Sequence, residues 1–359
     1  MQVEVLDSPA AARHHYERCY ERGYMDRWER ERFERLGEVL ATIDLPPGAR
    51  VLDFGCGSGA LTRLLVQRWP HAEVHGADIS TTAIAHARQR HSTLGCEFHV
   101  LDEAFVAAHA SRFDLVFSHH VLEHVFDLAA TAADLVRLLA PEGRMLHALP
   151  CGNPGSLAHW LCRQRPGGIE TQHGNRFFFE EPSHLRRLCT QDLVLEFARL
   201  GCEPGQSAYG YHALGELRLM TELVPSHWFL MLHPGRCHAR SLPRLLPLLF
   251  AVATVAALRA PCLLLLRCRR MLQQVFLFRT RRLNERSSLL LLGLAVPALL
   301  LTPLSLPVEW LVRRADRSEW RRRRHDPAGS EMMLEFARAA AAATAPRGAD
   351  CARSPQPCD

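Results

Sequence analysis

Residues 118–124, Ser-His-His-Val-Leu-Glu-His, gather three proton-carrying side chains into one short block. If a helix starts near His120, then His120, Glu123 and His124 stand at i, i+3 and i+4 on one face. Imidazoles beside a carboxylate suit general acid–base work near neutral pH, and the same spacing suits a divalent metal. The order H-x-x-E-H is also an inverted zinc-protease motif. That reading fails here, because the block follows an apolar strand pattern, FDLVF at 113–117, within alternating strands and helices. His173 lies in an irregular Gly-, Asn- and Pro-containing stretch, 151–180, which should border a ligand pocket.

Such a block needs elements to position it. VLDFGCGSG at 51–59 reads as a strand ending in a tight glycine turn, with a helix pattern directly after it. A strand, a glycine turn and a helix start turn backbone N–H groups and a positive helix end toward a ligand. The spacing is G-x-G-x-G, preceded by Asp53, and not the dinucleotide fingerprint G-x-G-x-x-G. A second strand, Glu73–Ala77, ends at Asp78, 19 residues after Gly59. A carboxylate at that strand end is suited to both hydroxyls of a ribose. A helix over 81–90 and a third strand, CEFHVL, lead to Asp102. The fourth strand leads to Ser118 and His119, and a fifth follows as RMLHALP at 144–150. Alternating strands and helices predict a doubly wound parallel sheet with its ligand at the carboxyl ends of the strands.

Asp53 with Gly55, Gly57 and Gly59 resembles the first motif of class I S-adenosylmethionine-dependent methyltransferases. The order FD-strand, LEHV, helix, L-x-P-x-G, strand, P resembles the quinone-biosynthesis O-methyltransferase branch of that family. The resemblance covers 49–150 and resumes at 181–203, where Cys202 stands in place of the family's usual aromatic. It implies a Rossmann-like seven-stranded α/β sheet whose last two strands are antiparallel, and S-adenosylmethionine as cofactor. It implies cofactor contacts from Asp53, Gly55, Cys56, Gly57, Gly59, Asp78, Ile79, Asp102, Ser118 and His119. On the acceptor side it implies His120, Glu123, His124 and His184, the last matching the family's His ahead of a substrate-side helix. Some relatives carry E-x-x-E-H and bind a divalent ion. Here His120 replaces the first Glu, so no metal is expected.

The chain has 359 residues and a formal net charge of +5; all 43 basic residues are Arg. The 12 Cys form no C-x-x-C pair, which argues against a zinc site or a disulfide framework and for a reducing compartment. The first residues lack the apolar run of a secretory signal, so a cytoplasmic core is expected. Charge is unevenly spread. Between Arg259 and Arg324 there are 15 Arg against four carboxylates, a net +11, leaving −6 elsewhere. The same region holds two uncharged apolar runs, 245–258 and 289–308. The second approaches membrane-spanning length, but Pro297, Pro303 and Pro307 should break it. The connecting loop 267–288 carries seven Arg, which opposes a spanning hairpin. Shallow insertion at the inner face of the membrane is the expectation, with a spanning hairpin and a soluble lid or dimer face as alternatives.

The expected organisation is an N-terminal helical cap (1–45), the cofactor-binding core (46–211), an apolar basic helical insertion (212–328), a last strand (329–342) and a disordered tail (343–359). The stretch 332–343 also suits a C-terminal helix. The cap reads as one helix over 14–36, with Tyr16, Tyr20 and Tyr24 on one side. The function expected is methyl transfer to a small amphiphilic or lipid-linked acceptor, more readily at oxygen than at carbon or nitrogen. A nicotinamide-dependent oxidoreductase and a non-catalytic membrane scaffold are the alternatives. A nucleic-acid acceptor is not expected. The basic run is interleaved with Leu and not with stacking aromatics, and the base-methylating relatives' Asn/Asp-Pro-Pro-aromatic motif is replaced by SHHVLEH.

Overall fold

A computed structural model describes residues 8–21, 30–172, 174–180, 183–222, 234–276 and 286–339. Tyr24, His173 and the tail 343–359 lie outside the described residues. Two helices come first, α1 (Pro9–Glu21) and α2 (Arg30–Leu40). A sheet of strands and crossover helices follows: β1 (Arg50–Phe54), α3 (Thr62–Arg68), β2 (Glu73–Asp78), α4 (Thr81–Arg90), β3 (Glu97–Val100), α5 (Glu103–Ala108) and β4 (Phe113–His119). Then come α6 (Leu128–Leu138), β5 (Leu139–Pro150), α7 (Leu157–Arg163), the two-residue strands β6 (Ile169–Glu170) and β7 (Arg176–Phe177), α8 (Thr190–Arg199) and β8 (Cys202–Gly210). A helical arm follows: α9 (Ala213–Glu222), α10 (Leu242–Phe276) and α11 (Arg286–Arg323). The described chain closes on β9 (Glu331–Arg338), a strand and not the helix that its composition also allows.

The main sheet has seven strands in the order β3-β2-β1-β4-β5-β9-β8. The first five run parallel; β9 pairs antiparallel with both β5 and β8. Helices cover both faces, so alternate residues of one strand enter different cores. Leu52, Phe54, Val116, Met332 and Leu334 face one layer; Val51, Leu115, Phe117, Ala148 and Met333 face the other, with Leu36, Leu65 and Trp69. Trp320 of α11 joins that second layer, so the foot of the arm is built into the core.

The arm corrects two expectations. Its prolines do not end the apolar run: Pro297, Pro303 and Pro307 lie inside α11, and Pro247 and Pro261 lie inside α10. The arginines 267–270 belong to α10 and not to a loop. α10 and α11 pack along each other, with Cys262 Sγ 2.9 Å from Ser305 Oγ. Arg259, which interrupts the first apolar run, is fully buried between them. Its Nε donates to Glu309 at 2.7 Å, and its other nitrogens reach Glu222, Thr221 and the Arg218 carbonyl. The charge is tolerated because it is paired and hydrogen-bonded on every side.

Candidate active site

The glycine turn shapes the site by close approach. Gly55, Gly57 and Gly59 all have positive φ (76°, 53° and 81°), which favours glycine. A Cβ at Gly55 would stand 2.4 Å from Val121, and one at Gly57 would stand 2.6 Å from the Tyr20 hydroxyl. Four of the turn's N–H groups point inward, however. Gly55 and Cys56 donate to the Ala77 carbonyl (2.7 and 3.0 Å), Gly57 to Asp78 Oδ2 (2.9 Å) and Gly59 to the Cys56 carbonyl (3.0 Å). Those four donors are already engaged within the chain.

Beside the turn opens a cleft of about 410 Å³. Carboxylates from Asp53, Asp78, Asp102, Glu103, Asp127 and Asp134 line it, against Arg13 as the one arginine lining it among the described residues. Such a lining repels a pyrophosphate and attracts a cation. Together with the occupied turn donors, it argues against the nicotinamide alternative and suits a cofactor with a sulfonium charge and a ribose diol. Burial pushes the Asp78 carboxyl up to about 6, although N–H groups of Ser80 and Gly57 donate to it. Burial likewise pushes Asp53 up to about 7 against a 2.6 Å hydrogen bond from Thr62. Asp53 thus ties β1 to the start of α3 as well as facing the cleft. Asp102 caps α5 by accepting from the Phe105 N–H at 2.8 Å and still borders the cleft, as do Ile79 and Cys56.

Two of the expected cofactor contacts lie elsewhere. Ser118 is turned away from the cleft, with its Oγ 2.8 Å from His147 Nδ1. Gly59 makes room for packing, since a Cβ there would meet His91 and Phe98 within 2.9 Å. Both residues sit at the right sheet edge, but strand alternation and the close of the turn direct them to other partners.

α1 forms the roof, contributing Ala12, Arg13, Tyr16 and Tyr20 to the lining. Of the expected cap helix over 14–36, the structure describes α1 to Glu21 and α2 from Arg30; residues 22–29 lie outside the described residues. Sequence reasoning missed Glu17. Its carboxylate accepts from Ser80 Oγ (3.0 Å), from the Thr81 N–H and hydroxyl (2.7 and 3.0 Å) and from the Thr82 N–H (3.0 Å). It therefore caps α4, which carries no acidic residue in its own first turn. That lack was the available signal. Burial works against the charge, but these hydrogen bonds outweigh it and hold Glu17 down at about 2. Glu17→Ala should loosen the roof and weaken cofactor binding ~5–30-fold, the equivalent of a lost cap, which calorimetric titration would measure.

The acid–base cluster forms, but not on a helix. Residues 120–127 make a turn, and His120 has φ +53°. A non-glycine residue in that conformation is held there by its surroundings. The His120 N–H donates to the Ala148 carbonyl at 2.8 Å, and the Glu123 carbonyl accepts from the Leu185 N–H at 2.9 Å. The turn is thereby locked to β5 and to the segment carrying His184. His120 Nδ1 lies 3.3 Å and His124 Nε2 3.9 Å from Glu123 Oε1. The His124 and His184 rings meet edge-on, 4.6 Å between centroids. His119, His120 and His124 line the cleft; Glu123 and His184 stand behind them. Glu123 is wholly buried, and that burial lifts its carboxyl to about 7, with His184 opposing the shift. Burial first, and then His120, hold His119 well below the usual imidazole range, so it is neutral.

Glu331 is a second residue that sequence reasoning missed. Its carboxylate lies 3.2 Å from His120 Nε2 and 3.9 Å from His119 Nε2. It opens β9, and an antiparallel strand begins at the edge where the parallel strands end. The topology, not a local motif, brings it there.

The strand order and the carboxylate-lined cleft resemble those of class I S-adenosylmethionine-dependent methyltransferases. The family described as a methyltransferase domain matches residues 25–192, and the cofactor of this domain is S-adenosylmethionine. Among curated relatives, trans-aconitate 2-methyltransferase of Azoarcus sp. (strain BH72) is 36% identical over 137 residues, covering 38% of this chain and 53% of the relative. The ubiquinone biosynthesis O-methyltransferase of Aromatoleum aromaticum is 33% identical over 153 residues, covering 40% and 63%. The chain spans about half the length of the curated relatives it matches. Among solved structures, the phosphoethanolamine N-methyltransferase 2 of Haemonchus contortus aligns at 14% identity with a TM-score of 0.44, covering 94% of this chain and 60% of that one.

Proposed function

We propose that this protein transfers a methyl group from S-adenosylmethionine to a hydroxyl of an amphiphilic or lipid-linked acceptor, working from the cytoplasmic face of a membrane. The observation that carries the reading is the acidic cleft that ends on His120 and His124, with Glu123 buried behind them. When bound, S-adenosylmethionine supplies an electrophilic methyl on a positively charged sulfur. Asp78 would hold the ribose hydroxyls, Asp102 the adenine end, and the Tyr16–Tyr20 face of α1 would exclude water. His124, whose Nδ1 bonds the Ser183 carbonyl, takes the acceptor's hydroxyl proton at Nε2, and Glu123, 3.9 Å from that nitrogen, stabilises the resulting cation, the logic of a base backed by a buried acid. Positioning of acceptor against donor supplies much of the rest.

A cationic cofactor among carboxylates whose values sit near 6 and 7 gives a signed pH dependence. Binding favours the ionised carboxylates. Affinity for S-adenosylmethionine should therefore rise as pH increases through about 6 and fall below it. Calorimetry with S-adenosylmethionine and NAD across that range tests the reading. Binding of NAD, or none of either compound, would overturn it. Incubation with methyl-labelled cofactor and a membrane extract then reads out the acceptor class.

The arm supports the membrane part. Val296, Leu300, Leu304 and Leu311 follow one another along one face of α11; Leu300 and Leu304 are 75% and 76% exposed. Phe250 of α10 is 75% exposed as well. A contiguous apolar face of this kind flanked by arginine clusters suits a layer of acyl chains under anionic headgroups. The arginines of 267–270, directly after the apolar length of α10, suit contact with anionic headgroups at the surface. The named ubiquinone-pathway relative agrees with an apolar acceptor that such an arm would meet at the bilayer. Val296→Glu/Leu300→Glu/Leu304→Glu together should abolish flotation with anionic vesicles while leaving the unfolding midpoint unchanged. Equal flotation of both proteins would remove the membrane from the proposal.

A further inference from the structure

A second group of ligating side chains lies outside the cleft, on the edge of the sheet. β2 contributes His75, and β3 contributes Glu97 and His99. In the parallel register His75 pairs with Glu97, and Glu97 and His99 are two residues apart, so all three project from one sheet face. His75 Nδ1 is 3.2 Å from His99 Nε2, His99 Nε2 is 3.4 Å from Glu97 Oε2, and His75 Nδ1 is 3.8 Å from that same oxygen. Ligands about 2.0–2.1 Å from a tetrahedral zinc ion stand about 3.3–3.4 Å from one another. The three observed separations bracket that value.

We propose that His75, Glu97 and His99 form a binding site for a divalent transition cation of the Zn²⁺ class, separate from the methyl-transfer site. The donor set is two imidazoles and one carboxylate, which suits zinc and its neighbours and disfavours the oxygen-seeking Mg²⁺ and Ca²⁺. The imidazoles are held in place before any ion arrives. His75 packs edge-on against Phe113 (5.5 Å), and His99 lies against Phe105 (5.3 Å) and His109 (5.5 Å). Glu97 is 70% exposed at its side chain, so the third ligand reaches in from solvent and leaves an entry path with an open fourth position. Occupancy would clamp the edge strand β3 to β2. The clamp sits three residues upstream of Asp78, which ends β2, and of Asp102, just beyond β3, about 10 Å behind the cleft carboxylates.

The test uses the full chain after chelation, with Zn²⁺ alone as the probe, in calorimetry and thermal unfolding. The wild-type protein should bind one more equivalent than His99→Ala and gain a higher unfolding midpoint on binding. Glu97→Gln should weaken that equivalent by more than about 10-fold, and His71→Ala, an exposed control, should leave it unchanged. Co²⁺ should give tetrahedral visible bands in the wild type that are lost in His99→Ala. Comparing variants separates this site from the histidines near the cleft. If His99→Ala does not fold, the exposed Glu97→Gln decides the question. Equal stoichiometry, affinity and midpoint shift in the wild type and Glu97→Gln would overturn the proposal, leaving the 3.2 Å contact as a plain hydrogen bond.

Discussion

Asp316→Ala should cost about 3–5 kcal/mol of stability, the range for breaking one member of a buried ion group. Asp316 is 1% exposed and receives a hydrogen bond from Arg35 of α2 and another, 2.8 Å long, from Arg218 of α9. Arg35 and Arg218 are themselves buried. Removing the carboxylate leaves two guanidinium groups facing each other with their shared counterion gone. Arg218 keeps Glu222 at 2.7 Å, which moderates the loss. A Cβ at Gly215 would stand 2.7 Å from Asp316 Oδ1, so the glycine is what lets α9 approach. Next to this group, Glu319 accepts the Leu214 and Gly215 N–H groups at 2.8 and 3.0 Å, capping α9 from another helix. The arm is therefore locked to the core by charge at its foot while its outer half stays apolar. Chemical denaturation of Asp316→Ala beside Glu196→Ala, which removes an exposed i,i+3 pair, checks the size. The control should lose no more than about 1 kcal/mol. Similar losses in both would mean that the buried group does not hold the arm.

Glu123→Gln should stabilise the protein above neutral pH and slow methyl transfer at the same time. The folded carboxyl titrates near 7 because burial disfavours its charge, against an ordinary value of 4.5. Between those values the folded state keeps a proton that the unfolded state has lost, so stability declines as pH rises from about 4.5 through about 7. The full penalty is on the order of 3 kcal/mol at pH 8 and above. The neutral amide removes it. Thermal unfolding against pH should thus show a steeper decline in the wild type than in Glu123→Gln, where Asp53 and Asp78 still titrate near 7 and 6. Activity should move the other way. An amide cannot stabilise an imidazolium at His124, and loss of such a partner costs a factor on the order of 10²–10⁴ in turnover. The wild-type rate should climb as pH passes 7, and this limb should vanish in the variant. A variant as active as the wild type would assign Glu123 to the turn alone.

Much of the fold was legible because its signals are local. Asp53, Asp78 and Asp102 stand at the ends of β1, β2 and just beyond β3, where strand and helix patterns alternate cleanly. The parallel strands, buried on both faces, read as apolar runs whose ends can be counted. What escaped depends on distance in sequence. Glu17 reaches Ser80, Thr81 and Thr82 across more than 60 residues, and Glu331 meets His120 across 211. No spacing rule links such pairs. The block at 118–124 differs from expectation in its backbone. Its i, i+3 pattern suggested a helix, yet a turn with His120 at positive φ delivers His120 and Glu123 to each other instead. The prolines of α11 misled for a related reason. Propensity treats them as breaks, while packing along α10 holds the helix through them.

The order in which the sheet is filled also bears on synthesis. β9 occupies the slot between β5 and β8, yet it is the last of the three to leave the ribosome. Until residues 331–338 emerge, β8 has no neighbour and the edge of β5 stands open. During that interval the whole apolar arm has already been made. The nascent chain thus offers its apolar helices before its sheet can close, and Glu331 reaches His120 only at the end. Assembly of the site is coupled to completion of the arm by long-range strand pairing, a slow kind of step. A chain stalled within the arm would display the helices without a finished acid–base cluster.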